Sequence, residues 1–174
     1  MNAARLSLAA RNWQWLALLV AVLPQFDRLP PWLTIAIVLA CAWRLAPVER
    51  RLGAPGNAVR LALLAGGIAG VFVSHRTLFG PEGGVSFLIV CAVLKVLESR
   101  TARDCFVSAL LDFFVLATAF LFSQSLLLTL YAGIASIVLV AALVALQQRE
   151  GAGVKRTLRR ATVLVGQAVP LMLI

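Results

Sequence analysis

The sequence predicts an all-α protein, a polytopic transmembrane helical bundle of six full spans and the start of a seventh. Three observations carry that expectation. Of 174 residues, 61% are hydrophobic and 13% charged, whereas soluble domains are about a quarter charged. The apolar residues fall into seven stretches, near 13–26, 31–45, 60–74, 85–98, 105–122, 126–146 and 161–174, which make residues 1–174 one N-terminal membrane domain. The net charge of +9, from 16 Lys and Arg against 7 Asp and Glu, sits in short basic clusters between those stretches. That is the pattern of loops facing anionic headgroups rather than nucleic acid.

The first stretch follows Arg5 and Arg11 and resembles a secretory leader, but no A-x-A cleavage pattern follows it. Instead "LPQFDRLPPW" reads as a Pro-rich turn into the second stretch. Several stretches are shorter than the roughly 20 residues that cross a hydrocarbon layer, so flanking residues must complete them. Trp13, Trp15, Trp32 and Trp43 lie near segment ends, where interfacial anchors belong. The third stretch, "LALLAGGIAGVFVSH", sets Ala62, Gly66 and Gly70 four residues apart, a spacing expected to admit a second helix at close range. No strand precedes these glycines, so they are not a phosphate-binding fingerprint. The single histidine, His75, has only Glu82 near it in sequence, and no metal or cofactor is expected. Cys41, Cys91 and Cys105 form no CxxC pair and read as small buried hydrophobes.

The fourth and fifth stretches are joined by "LKVLESRTARD". Lys95 and Glu98 share a helix face at i and i+3, and Asp104 opens the next helix, where a carboxylate caps free N–H groups. A salt-bridged turn accounts for these charges, with lipid headgroups or a partner as the functional alternative. Asp112 lies about 12 Å further along the fifth helix, near the middle of a ~30 Å hydrocarbon layer. An ionised carboxylate at that depth costs at least ~2.5 kcal/mol, so it is expected to face the interior, become protonated or find a partner. Ser108, one turn earlier, and Lys95 are the nearest candidates. A coupling carboxylate would want a second acid at depth, and none is present, which favours a packed interior residue. Ser123, Gln124 and Ser125 form a short turn into the sixth stretch, where their side chains can satisfy helix ends. The seventh, "ATVLVGQAVPLMLI", stops after 14 residues with no polar flank, which suggests the membrane part of a longer protein.

Orientation follows from the basic residues. With a cytoplasmic N-terminus the inside loops hold Arg5, Arg11, Arg44, Arg50, Arg51, Arg60, Lys95, Arg100, Arg103, Arg149, Lys155, Arg156, Arg159 and Arg160. That is 14 of 16, leaving Arg28 and Arg76 outside, and the positive-inside rule then predicts a multi-pass protein of a bacterial inner membrane with its N-terminus in the cytoplasm.

The run "RTLFGPEGGVSFLIVCAVLKVLESRTARD" together with "TAFLFSQSLLLTLY" resembles the N-terminal membrane region of the bacterial TgpA-like, transglutaminase-like proteins, in detail over about residues 76–131. The positions that carry the resemblance are Gly80 and Gly84, then Lys95, Leu97, Glu98, Arg100, Arg103 and Asp104, and finally Phe122, Ser123, Gln124 and Ser125. The resemblance implies an extracytoplasmic transglutaminase-like domain after the helices, with a Cys, His and Asp catalytic set that no residue here matches. Asp112 departs from the family pattern. The chain is therefore expected to be a non-catalytic anchor in the bilayer, its partners being anionic headgroups on the cytoplasmic side and the catalytic domain of the same parent chain. The alternative is a small transporter or lipid-binding protein using Asp112 and the Lys95 to Asp104 turn.

Overall fold

A computed structural model describes residues 8–45, 56–75, 80–99, 101–147 and 154–172, and these are helical with no strand among them. Among the described residues there are seven α-helices: α1 Leu8–Val22, α2 Pro31–Leu45, α3 Asn57–His75, α4 Pro81–Glu98, α5 Ala102–Thr118, α6 Leu126–Gln147 and α7 Val154–Met172. Short 3-10 turns, Leu23–Arg28 and Ala119–Leu121, close α1 and α5.

The helix ends follow local chemistry. Pro24 has no N–H to give the carbonyl of Val20, so α1 gives way to a tighter turn there. The hydroxyl of Tyr131 on α6 donates to that carbonyl at 2.6 Å. Prolines stand again at the first position of α2 and α4, where a missing N–H is harmless. Thr101 and Asp104 form a capping box at the start of α5, each side chain accepting the other's backbone N–H.

Helices α1, α5 and α6 pack on one another, α4 lies against α5, α3 against α4, and α7 against α6; α2 makes a smaller contact with α4. The centre is built of small and branched residues without solvent exposure: Ala17, Leu18 and Ala21 of α1, Ile89 and Ala92 of α4, Val115 of α5, Leu139 and Ala142 of α6. Alanine at these contacts lets backbones come close, as in helix packing within membranes. The outward faces are apolar too: Val73 is 78% exposed, Phe114 64%, Leu126 78% and Leu127 79%. A bundle with large apolar side chains on its periphery presents a surface that water solvates poorly.

Among the described residues two helical stretches, Ala102–Leu121 and Leu126–Leu146, are long and apolar enough to cross a membrane. The expected six full spans are therefore not shown. For α1 and α2 the physical reason is length, since they have 15 residues each, about 22 Å at 1.5 Å per residue, short of a ~30 Å hydrocarbon core. In α3 the apolar part is confined to Val59–Ser74. The seventh element also differs from expectation. It starts at Val154, seven residues before the apolar stretch, and takes Lys155, Arg156, Arg159 and Arg160 into the helix. Arg156, Arg159 and Arg160 are exposed while Thr157 and Ala161 are buried, so α7 is amphipathic where a purely apolar span had been expected.

Candidate functional site

Two polar clusters stand out from the apolar bundle. The first occupies the end of the bundle where α4 turns into α5. Lys95 lies in the last turn of α4 and Asp104 in the first turn of α5, and their side chains meet at 3.3 Å. Lys95 is 4.0 Å from Glu98, so its closer contact crosses the turn. Glu98 in turn pairs with Arg60 of α3 at 2.9 Å. Hydroxyls knit the turn: Ser99 donates to the carbonyl of Lys95 at 2.7 Å and lies 2.9 Å from the hydroxyl of Ser108, which bonds the carbonyl of Asp104 at 3.1 Å. Arg103 is exposed, whereas Arg100 lies outside the described residues. Half-exposed ion pairs of this kind are worth about 1 kcal/mol or less each, and their geometric effect is to tie α3, α4 and α5 together at one end.

The second cluster runs along the seam between α1 and α5. Asp112 is fully buried, and the side-chain amide of Gln14 donates to it at 3.0 Å across 98 positions of sequence. Lys95 and Ser108, the expected neighbours of Asp112, are engaged at the α4–α5 turn instead. Nearly three turns further on, the amide of Gln25, also buried, donates to the carbonyl of Val115 at 2.6 Å and to the hydroxyl of Thr118 at 3.1 Å. The oxygen Oδ1 of Asp112 and the oxygens Oε1 of Gln14 and Gln25 are buried without a hydrogen-bond partner among the described residues. Gln14 and Gln25 were not singled out in the sequence. Their only signal is that each is an uncharged amide inside or at the end of an apolar run.

At the end of the bundle opposite Lys95 the seam opens into a pocket of about 710 Å³ whose walls include Gln25, Asp27, Arg28, Ser123, Ser125 and Tyr131. The guanidinium of Arg28 lies 5.0 Å from the ring centre of Phe122. Ser125 caps α6, its hydroxyl accepting from the N–H of Leu128 at 3.2 Å, and Ser123 and Gln124 are exposed. Gly80 is the N-cap of α4, its carbonyl accepting from the N–H of Gly84 at 2.8 Å. A Cβ at Gly84 would meet no atom within 4 Å, so packing does not require glycine there. The structure thus distributes the singled-out residues over both ends of the bundle, with Asp112 between them.

Of the expected close-packing stripe, Gly70 lies against Trp32, where a Cβ would come within 2.9 Å of the ring. Gly66 meets nothing within 4 Å, and the tight contact belongs to its neighbour Gly67, which lies against Val90. Cys105 is buried and Cys41 and Cys91 are half-buried, all three as free thiols. His75 is the last residue of α3. Among the described residues no three His, Cys, Asp or Glu side chains gather as metal ligands would.

The family model described as TgpA N-terminal domain matches residues 13–174. A protein of Pseudomonas aeruginosa named protein-glutamine gamma-glutamyltransferase is 36% identical to this chain over 163 residues, which is 93% of this chain and 24% of that protein. The chain thus spans about a quarter of that relative's length. No solved structure matches.

Proposed function

The chain belongs to the TgpA N-terminal domain family, and from that premise we propose that it is the non-catalytic membrane domain of a transglutaminase-like envelope protein. In this reading it crosses the bacterial inner membrane several times, with its N-terminus and the Lys95 end in the cytoplasm, and its helices hold a catalytic domain on the opposite side. The observation that carries the reading is the match of residues 13–174 to this domain family, beside a relative named as a glutamyltransferase and about four times as long.

The physical features agree with it. Apolar side chains cover the outer faces of α3, α5 and α6. The paired charges of Arg60, Lys95, Glu98 and Asp104 gather at one end, and the basic side chains of α7 begin just after α6 ends. Helices too short to span alone are accommodated by local thinning of the bilayer or by flanking polar residues at modest cost. Cytoplasmic Lys and Arg near anionic headgroups then contribute about 1 kcal/mol each to holding the orientation. The transporter reading is not favoured by the family match.

The test is a pair of reporters on the full chain. A fluorescent protein fused before Met1 and a phosphatase active only outside the cytoplasm fused after Ile174 are expected to be active together, with the chain resisting an alkaline carbonate wash. The purified chain is expected to show no acyl transfer to amines. Thiol-dependent transfer by these 174 residues alone would overturn the non-catalytic assignment, and extraction by carbonate would overturn the membrane one.

A further inference from the structure

We propose that the groove between α2, α3 and α4 is a binding site for one acyl chain of an anionic phospholipid, whose phosphate is held at Arg60. The proposal rests on the chain being embedded in a bilayer, as read above. The groove has a volume of about 520 Å³ and apolar walls that include Leu33, Ile37, Ala40, Leu63, Val93 and Leu97. Its upper end is pinned, because the indole N–H of Trp32 donates to the hydroxyl of Ser74 at 2.7 Å and the Trp32 ring covers Gly70. Below that clasp α2 and α3 each rest on α4 and leave a gap between them.

Three observations say what fills the gap. Gly66 lines it, and a Cβ built there would meet no atom within 4 Å, so protein leaves open space over this position. The flanks of the groove merge with outward apolar side chains, Leu39, Leu61 and Leu63 among them, so it opens into the same medium as the bundle's outer face. Its α4 wall runs from Val90 to Leu97, about 10 Å at 1.5 Å per residue, which makes the mean cross-section about 50 Å² against roughly 80 Å² for a helix about 10 Å across. A hydrocarbon chain fits such a gap more closely than a whole helix does.

The charge at the lower end selects the headgroup. Arg60 stands on α3 between the groove-lining residues Val59 and Ala62, and its side chain is about a quarter exposed (26%). Of its guanidinium nitrogens, Nη1 donates to Glu98 and Nε is buried without a partner among the described residues, so the quarter of the side chain that is exposed is what a phosphate could reach. A partly exposed guanidinium at the mouth of an apolar groove can give a charge-assisted hydrogen bond to a phosphate oxygen. Glu98 and Asp104 already face Arg60 and Lys95, and the exposed Arg103 adds a positive charge to the same turn.

The experiment places the purified 174-residue chain in nanodiscs of phosphatidylcholine doped with phosphatidylglycerol and counts retained lipids by native mass spectrometry after mild activation. One phospholipid is expected to stay, with phosphatidylglycerol preferred about fivefold, the effect of one arginine near an anionic group. Gly66→Leu, which fills the groove, is expected to lose the retained lipid while keeping its helical circular dichroism and monomeric mass. Arg60→Gln is expected to keep a lipid but lose the preference. A chain that resists carbonate extraction yet retains no lipid, or retains it equally in Gly66→Leu, overturns the groove assignment alone. Dimers that Gly66→Leu breaks would overturn it in favour of a second copy. A chain that carbonate extracts fails the membrane reading itself, and the lipid site with it.

Discussion

Asp112 and Gln14 meet in the interior of the bundle, and the energetics of that pair are asymmetric. A buried amide or carboxyl left without its partner costs about 1–3 kcal/mol, while removing both groups in favour of apolar ones of similar shape is often close to neutral. Asp112→Leu and Gln14→Leu are each expected to lower stability by roughly 1–3 kcal/mol, and the double variant to recover part of the loss. The double-mutant cycle is expected to give a coupling of roughly 0.5–2 kcal/mol, the range for hydrogen bonds between membrane helices. Thermal unfolding of the four proteins in one detergent checks it, and strict additivity would mean that the contact at 3.0 Å contributes no stability. An isolated sequence names Asp112 readily because charge is rare in an apolar run. It does not name Gln14, since an uncharged amide costs far less to bury and its partner is 98 positions away.

Among the elements, α3 shows how one helix can use adjacent glycines differently. At Gly67 an added methyl would lie 2.5 Å from Cγ1 of Val90, and a β-branched side chain is stiff at χ1 and yields poorly. Gly67→Ala is therefore expected to cost roughly 1–3 kcal/mol by overpacking. Gly66→Ala meets open space and is expected to stabilise α3 by about 0.5–1 kcal/mol, the ordinary gain of Ala over Gly in a helix. Melting temperatures of the two single variants decide the matter, and equal shifts would contradict the packing described for Val90. The four-residue spacing of Ala62, Gly66 and Gly70 pointed to close approach on one face. It did so correctly for Gly70 and not for Gly66, because a spacing fixes which residues share a face and leaves open what that face meets. The same limit applies to α7: its apolar second half was legible, whereas the extension through Lys155 to Arg160 was not, because basic residues read equally well as loop or as the exposed side of a helix.

For the molecule as a whole, the all-helical class was legible because seven apolar runs separated by Pro, Gly and basic residues leave little room for strands, and a helix stands at each of the seven. The pairing of those helices was not legible, since which helix lies against which depends on contacts between residues far apart. The attachments of α1 carry a consequence for how the protein is made. The carbonyl that Pro24 frees at Val20 accepts from Tyr131, 111 positions later, and the side-chain amide nitrogens of Gln25 and Gln14 donate to Val115 and Asp112. The ribosome therefore releases the first helix and its closing turn with three polar groups whose partners do not yet exist, and these must be hydrated or otherwise sheltered until α5 and α6 emerge. The first helix made waits for its polar partners until the sixth has emerged. A chain stopped after Glu98 is expected to be cleared by cellular proteases several times faster than one stopped after Gln147, and pulse-chase decay at matching rates would show that α1 settles without its distant partners.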